Sequence, residues 1–289
     1  MTQLQIRHER IDGDGLRLQV LVAGEGPPVI LLHGFPENAH SWRHQIAPLA
    51  SAGYSVWAPN LRGYPPSDIA SRRSDYLLPH LVNDVAAIVA ATGHGRASIV
   101  GHDWGGIIAW AFAGAYPALL RKLVILNAPH MQVYADKIWN TSQLLRSAYV
   151  GLFQLPILPE ALLSKGNFFL LRQMFKVTPA RRGAYDDNDI ARYVACLSQP
   201  GALKAALDYY RANMVPGGMA LARTARTNGP VLVIWGERDP ALGTFLLDGV
   251  QRFAPRVRIH CIARAGHWVQ NEAPDEVNSA LLAFLGPPG

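Results

Sequence analysis

Residues 98–108 run Ser98-Ile99-Val100-Gly101-His102-Asp103-Trp104-Gly105-Gly106-Ile107-Ile108, one apolar run joined to another through GHDWGG. The first run has the β-branched character of a buried strand, and the second continues as an apolar helix. Glycines at 101, 105 and 106 allow the sharp strand-to-helix turn that presents its middle side chain. That side chain is a carboxylate, Asp103, where such turns more often carry serine. Two roles fit it: a cap for the free N–H groups that open the following helix, or a nucleophile. The segment alone leaves both open.

Outward from this turn, strand-like runs alternate with helix-periodic segments, the pattern of a mostly parallel sheet covered on both faces. Before it come a hairpin of Gln3–Ile11 and Leu16–Ala23 joined by Asp12-Gly13-Asp14-Gly15, a buried strand Pro28–Leu32, and a helix from about Asn38 to Ala52. The strand Tyr54–Ala58 follows, then a helix with Leu81, Val82, Val85, Ile88 and Val89 on one face. After it come the strands Lys122–Leu126, Pro230–Trp235 and Val257–Ile262 and a last helix with Pro274 in its first turn and Gly286 as its stop. Between His130 and about Gly218 the alternation ceases, and the chain is helix-like with many aromatics. We expect a core of residues 1–129 and 219–289 and an inserted helical lid of residues 130–218.

Hydrophobic residues make up 49% of the 289 and charged residues 17%, which supports a buried core and argues against disorder. The net charge of +6 is scattered, with arginines adjacent only at Arg72–Arg73 and Arg181–Arg182, so no nucleic-acid stripe is expected. The opening MTQLQIRHERIDGDG has no apolar leader, and the apolar stretch Gly105–Tyr116 is too short to span a bilayer. Cys196 and Cys261 stand in no metal or redox spacing. Reduced thiols in a cytoplasm are the default expectation, with no membrane partner and a monomer or homodimer.

Asp239, in GERDPALG, follows one expected strand end, and His267, in AGHWVQNEAP, follows the next. The order nucleophile, acid, histidine matches the α/β-hydrolase arrangement, at the strand ends where open α/β sheets build their sites. A carboxylate nucleophile needs no base to attack saturated carbon, which frees His267 to activate water in a second step while Asp239 orients the imidazole. Backbone N–H groups of Trp104 and of Phe35, in His33-Gly34-Phe35-Pro36-Glu37, are placed to hold an oxyanion. The bland reading of HGFP is an X-Pro turn, with a cis bond at Phe35–Pro36 as one option. His33 reads as a turn-stabilising residue and His102 as a packing neighbour of the turn.

HGFP, GHDWGG, NAPH at Asn127–His130 and the GH before Trp268 together resemble the epoxide hydrolase branch of the α/β-hydrolase superfamily, over essentially the whole chain. The resemblance implies a mostly parallel eight-stranded sheet with flanking helices and a helical lid. It also implies opening of an epoxide to a vicinal diol through an ester on Asp103, with no metal or organic cofactor. Two lid tyrosines hold the epoxide oxygen in that family. The carry-over lands on Tyr149, four residues before Phe153-Gln154, and on Tyr210, directly before Arg211, with Tyr209 a register away. Phe35, Trp104, Phe153 and Trp268 are the expected pocket walls, and the aromatic lid favours an apolar or aryl epoxide as the small-molecule partner. Haloalkane dehalogenases share the Asp nucleophile and a tryptophan like Trp104, but commonly carry Asn where this chain has Phe35. Fluoroacetate dehalogenases share HGFP but carry arginine where this chain has Trp104. A ligand binder that has lost turnover is the non-enzymatic alternative. Detoxification, catabolism and biosynthesis are all compatible roles.

Overall fold

The computed structural model describes residues 4–288; Gln3, the expected start of the first strand, and the rest of residues 1–3 lie outside the described residues. Among the described residues the core is an eight-stranded sheet of order β1-β2-β4-β3-β5-β6-β7-β8. Its strands are β1 (Ile6–Asp12), β2 (Arg17–Ala23), β3 (Pro28–Leu32), β4 (Ser55–Pro59), β5 (Ala97–His102), β6 (Leu120–Leu126), β7 (Val231–Gly236) and β8 (Val257–Ile262). Strand β2 pairs antiparallel with both β1 and β4, and every other pairing is parallel. This is the expected fold class.

The apolar runs of β3, β5 and β7 are buried along their whole length because helices cover both faces. Side chains alternate between two clusters. Ile30, Leu32, Ile99, Leu123 and Val233 pack on the side of α2 (Leu78–Ala91) and α3 (Trp104–Ala115). Val29, Leu31, Val100, Val124 and Ile234 face α1 (Arg43–Ser51) and the C-terminal α12 (Pro274–Leu285). Each such side chain contributes about 1.5–3 kcal/mol by leaving water.

The helix expected from Asn38 to Ala52 is shorter. A tight 3-10 turn, Ala39–Trp42, comes first, with the Asn38 side chain accepting from the His40 N–H, and the α-helix occupies only Arg43–Ser51. Pro48 lies inside it and has no N–H to offer the His44 carbonyl one turn back. Asn278 on α12 donates to that carbonyl instead, at 2.9 Å, so the defect becomes a docking point between two helices.

Between β6 and β7 the chain forms α4 (Met131–Lys137), α5 (Thr141–Arg146), α6 (Ala148–Gln154), α7 (Leu158–Val177), α8 (Asp187–Leu197), α9 (Ala202–Asn213) and α10 (Ala220–Thr224). Lys165–Phe168 interrupt α7 with non-helical backbone, three of them at positive φ. Helix α10 lies after residue 218 and packs on α3 and α4. Strand β7 then resumes the core, and α11 (Val269–Glu272) follows β8.

Candidate active site

The β5–α3 turn is held tight by close backbone approach. A Cβ on Gly101 would lie 2.2 Å from the Gly105 carbonyl oxygen, and one on Gly105 would lie 2.1 Å from that of Leu32. Asp103 itself sits at φ 50°, ψ −119°, a conformation that costs a residue with a side chain about 1–3 kcal/mol. Its carboxylate makes no capping hydrogen bond to α3, so the capping role left open by the sequence is not the one it plays. Instead Oδ1 accepts from the Phe35 N–H at 2.8 Å. Gly34 is needed beside it, since a Cβ there would fall 2.4 Å from Asp103 Cβ and Oδ1. The Phe35–Pro36 bond is cis, one of the two forms the sequence allowed.

The loops after β7 and β8 bring Asp239 and His267 to this turn. His267 Nδ1 donates to Asp239 Oδ2 at 2.7 Å, and Nε2 points towards Asp103 Oδ2 at 3.7 Å. Asp239 is buried and accepts further bonds from Asn127 Nδ2 at 2.8 Å and from the N–H groups of Ala241 and Leu242 at 2.7 and 2.9 Å. Burial opposes its charge, but these donors and His267 outweigh it and hold the carboxyl below its usual range. For His267 burial again opposes the charged form. The charge and hydrogen bond of Asp239, with Asp103 and Glu37 adding, raise the imidazole to about 9.

Helices α6 and α9 deliver the two tyrosines. Tyr149 and Tyr210 lie with ring centroids 6.2 Å apart, and both line the cavity above Asp103. Burial, with the nearby Asp103 charge, raises both phenols above the usual tyrosine range, so they remain protonated donors at neutral pH. Tyr209 is turned the other way, donating to the Arg62 carbonyl at 2.8 Å beneath Tyr64 and Tyr76. The register question is thereby answered: Tyr210 faces the cavity and Tyr209 the core.

The cavity has two lobes that meet at Asp103, Tyr149 and Tyr210. The larger, about 300 Å³, is lined by Phe35, Phe153, Trp268 and His267 together with Arg146, Met174 and Thr178. The smaller, about 30 Å³, holds Trp104 with Ile107, Met131, Val150, Met214 and Leu242. All four expected wall residues therefore line the site, Trp104 on the small side.

Several residues escaped the sequence reading. Asn127 lies in the quoted NAPH, yet its role depends on bonds across the sheet: it donates to Asp239 and accepts from the Gly236 N–H at 2.8 Å. Glu37, in HGFPE, is fully buried and accepts from the Tyr185 hydroxyl at 2.7 Å, Gln270 at 3.1 Å and Asn271 at 3.2 Å. Its Oε2 lies 3.3 Å from His102 Nδ1, and His102 Nε2 donates to the His267 carbonyl at 2.9 Å. His102 is thus a strut beneath the His267 loop as well as a packing neighbour. Burial opposes the Glu37 charge, but His102 and the surrounding donors hold its carboxyl below the usual range. His33 is structural, as read: Nδ1 meets the Gly34 carbonyl and Nε2 accepts from the Leu61 N–H, both at 3.0 Å. Arg146, three residues before Tyr149, carried no signal beyond that spacing. Its Nη1 donates to the Asp239 carbonyl at 2.6 Å.

A family model described as alpha/beta hydrolase fold matches residues 27–274, and the chain belongs to that family. Within it, the chain is closely related to epoxide hydrolases by both sequence and structure. Mouse "Epoxide hydrolase 4" is 36% identical over 284 residues, covering 96% of this chain and 78% of the relative. The Bacillus subtilis "AB hydrolase superfamily protein YfhM" is 34% identical over 97% of this chain and 98% of its own. The crystal structure of a Bacillus megaterium epoxide hydrolase in complex with an inhibitor superposes with a TM-score of 0.86 at 30% identity, covering 96% of this chain and 99% of that one. Among the described residues no helix is long and apolar enough to cross a membrane.

Proposed function

We propose that the protein hydrolyses an epoxide to a vicinal diol through an ester on Asp103. The observation that carries this reading is the convergence of a carboxylate and two protonated phenols, Asp103, Tyr149 and Tyr210, on the junction of one cavity. In the first step an Asp103 oxygen attacks a ring carbon, the C–O bond of the ring breaks, and the leaving oxygen takes a proton from one of the two phenols while the other stabilises it by hydrogen bonding. No base is required, because the carboxylate is the nucleophile.

Esterification removes the Asp103 charge, one of the influences that raise His267, so the imidazole binds its proton less tightly once the ester exists. That proton restores the phenol, and the neutral His267 then takes a proton from water as the resulting hydroxide adds to the ester carbonyl. The oxyanion is held by the N–H of Phe35, which already donates to the same carboxyl, and by that of Trp104. Collapse breaks the acyl–oxygen bond, His267 gives its proton to the departing oxygen to complete the diol, and the proton left on the restored Asp103 carboxyl returns to His267. The residues 130–218 serve as the lid that supplies the phenols. We place the protein in a cytoplasmic setting, the default for a chain whose Cys196 and Cys261 stand in no metal or redox spacing.

Incubation of the purified protein with styrene oxide, with diol quantified by chromatography, tests the reading. Diol should form, vanish with Asp103→Ala and collapse with Tyr210→Phe. Halide release from a haloalkane panel without dependence on Tyr210, and no diol, would assign a dehalogenase instead. Saturable binding without product would assign a ligand binder.

A further inference from the structure

The two lobes differ tenfold in volume, and this asymmetry bears on the substrate. Asp103, Tyr149 and Tyr210 are common to both, so the reacting ring sits at the junction with one carbon facing each lobe. The small lobe, about 30 Å³, is the tighter of the two. Its walls are mostly well packed, with Ile107, Ala128, Met131 and Leu242 all less than a tenth exposed. Its polar neighbours are already engaged: Asn127 with Asp239 and Gly236, and the Tyr134 hydroxyl with Ser147 Oγ at 2.8 Å. Nor is it the natural seat of the hydrolytic water, because His267 lines the large lobe and not the small one.

We propose that the site selects epoxides with one bulky apolar substituent, seated in the large lobe, and hydrogen or at most methyl on the ring carbon that faces the small one. This rests on the epoxide hydrolase reading and adds the substrate class. A trans-disubstituted epoxide whose second group is larger than methyl must place that group on the opposite side of the ring, in the small lobe. There it meets Met131, Met214 and Leu242, and overpacking a close-packed wall costs about 1–3 kcal/mol, which converts to a loss of about ten- to a hundredfold.

The test compares kcat/KM for styrene oxide, trans-β-methylstyrene oxide and trans-stilbene oxide. Expected are similar values for the first two and a fall of about a hundredfold for the third. Met214→Ala and, separately, Met131→Ala should each raise the ratio of stilbene oxide to styrene oxide about tenfold by opening the small lobe; the ratio is read because either change also alters the rate with every substrate. Equal kcat/KM for stilbene oxide and styrene oxide in the unaltered enzyme would overturn the inference while leaving epoxide hydrolysis standing. A ratio unmoved in both variants would also overturn it. Absence of diol from all three substrates would remove the reaction itself, and this inference with it.

Discussion

The strand-end loops and the lid build opposite walls of one site by different means. On the sheet side the charged groups are tied down: Asp239 takes four donors, Glu37 is enclosed by Tyr185, Gln270, Asn271 and His102, and Asp103 is forced into a strained turn by glycines that admit no side chain. On the lid side Tyr149 and Tyr210 are placed by aromatic edge contacts with Phe153 and Phe35, while the outer surface exposes Trp139 at 80%, Ile157 at 77% and Leu145 at 72%. The contrast teaches a division of labour. In the proposed reaction, hydrogen-bonded loops hold the nucleophile, acid and histidine, and packed helices hold the phenols and set which substrate reaches them.

If that division holds, losses should be steepest on the sheet side. Asp103→Ala should remove diol formation by on the order of 10⁴-fold or more, measured as kcat with styrene oxide. His267→Gln should stop the reaction after its first step, so that intact-protein mass spectrometry finds the alkylated enzyme accumulating. Next come the lid phenols: Tyr149→Phe and Tyr210→Phe should each cost about 10²–10³ in kcat, and the double variant more than either. A loss of less than about tenfold on removing both would break the comparison from the lid side.

Glu37→Ala sharpens it further, since it touches no substrate. Removing the carboxylate strands several buried donors, and the expected loss is about 3 kcal/mol of stability by denaturant unfolding. Smallest of all, Leu145→Ser and Trp139→Ser on the lid exterior should shift stability by within about 0.5 kcal/mol and leave kcat unchanged.

The pH dependence of stability probes the sheet side alone. His267 is raised from 6.5 to about 9 in the folded protein, so its contribution to stability is complete below pH 6.5 and is lost as pH rises through 9. Asp239 is lowered from 3.8, so its contribution is present above that value and is lost as pH falls through its lower folded value. Unfolding midpoints between pH 7 and 10 should therefore decline in the parent protein, and the decline should be shallower in His267→Gln. Identical slopes would mean that His267 is not held in its charged form.

Most of the sheet side was legible from the chain because each site residue follows a strand whose apolar run announces it: Asp103 after Ile99-Val100, Asp239 after Val231–Trp235, His267 after Val257–Ile262. The supporting residues were not legible, although Asn127 and Glu37 stand in motifs that had been singled out. Their partners, Asp239 and Gln270, lie far along the sequence, and only the sheet order brings them together. On the lid side a helical periodicity cannot say which of two adjacent tyrosines faces inward, because that depends on Arg62 accepting from Tyr209. The unequal lobes were beyond reach for the same reason, being a property of how α4, α6 and α9 sit over α3.

The ester on Asp103 is the claim on which the rest depends, and one turnover with enzyme in excess over styrene oxide in heavy-oxygen water tests it most directly. The account predicts that the solvent's heavy oxygen enters the Asp103 carboxyl, read by mass spectrometry of the peptide that contains it, while the diol keeps only light oxygen. Heavy oxygen in the diol, with the Asp103 peptide unlabelled, would mean that water attacks the ring directly and would contradict the account.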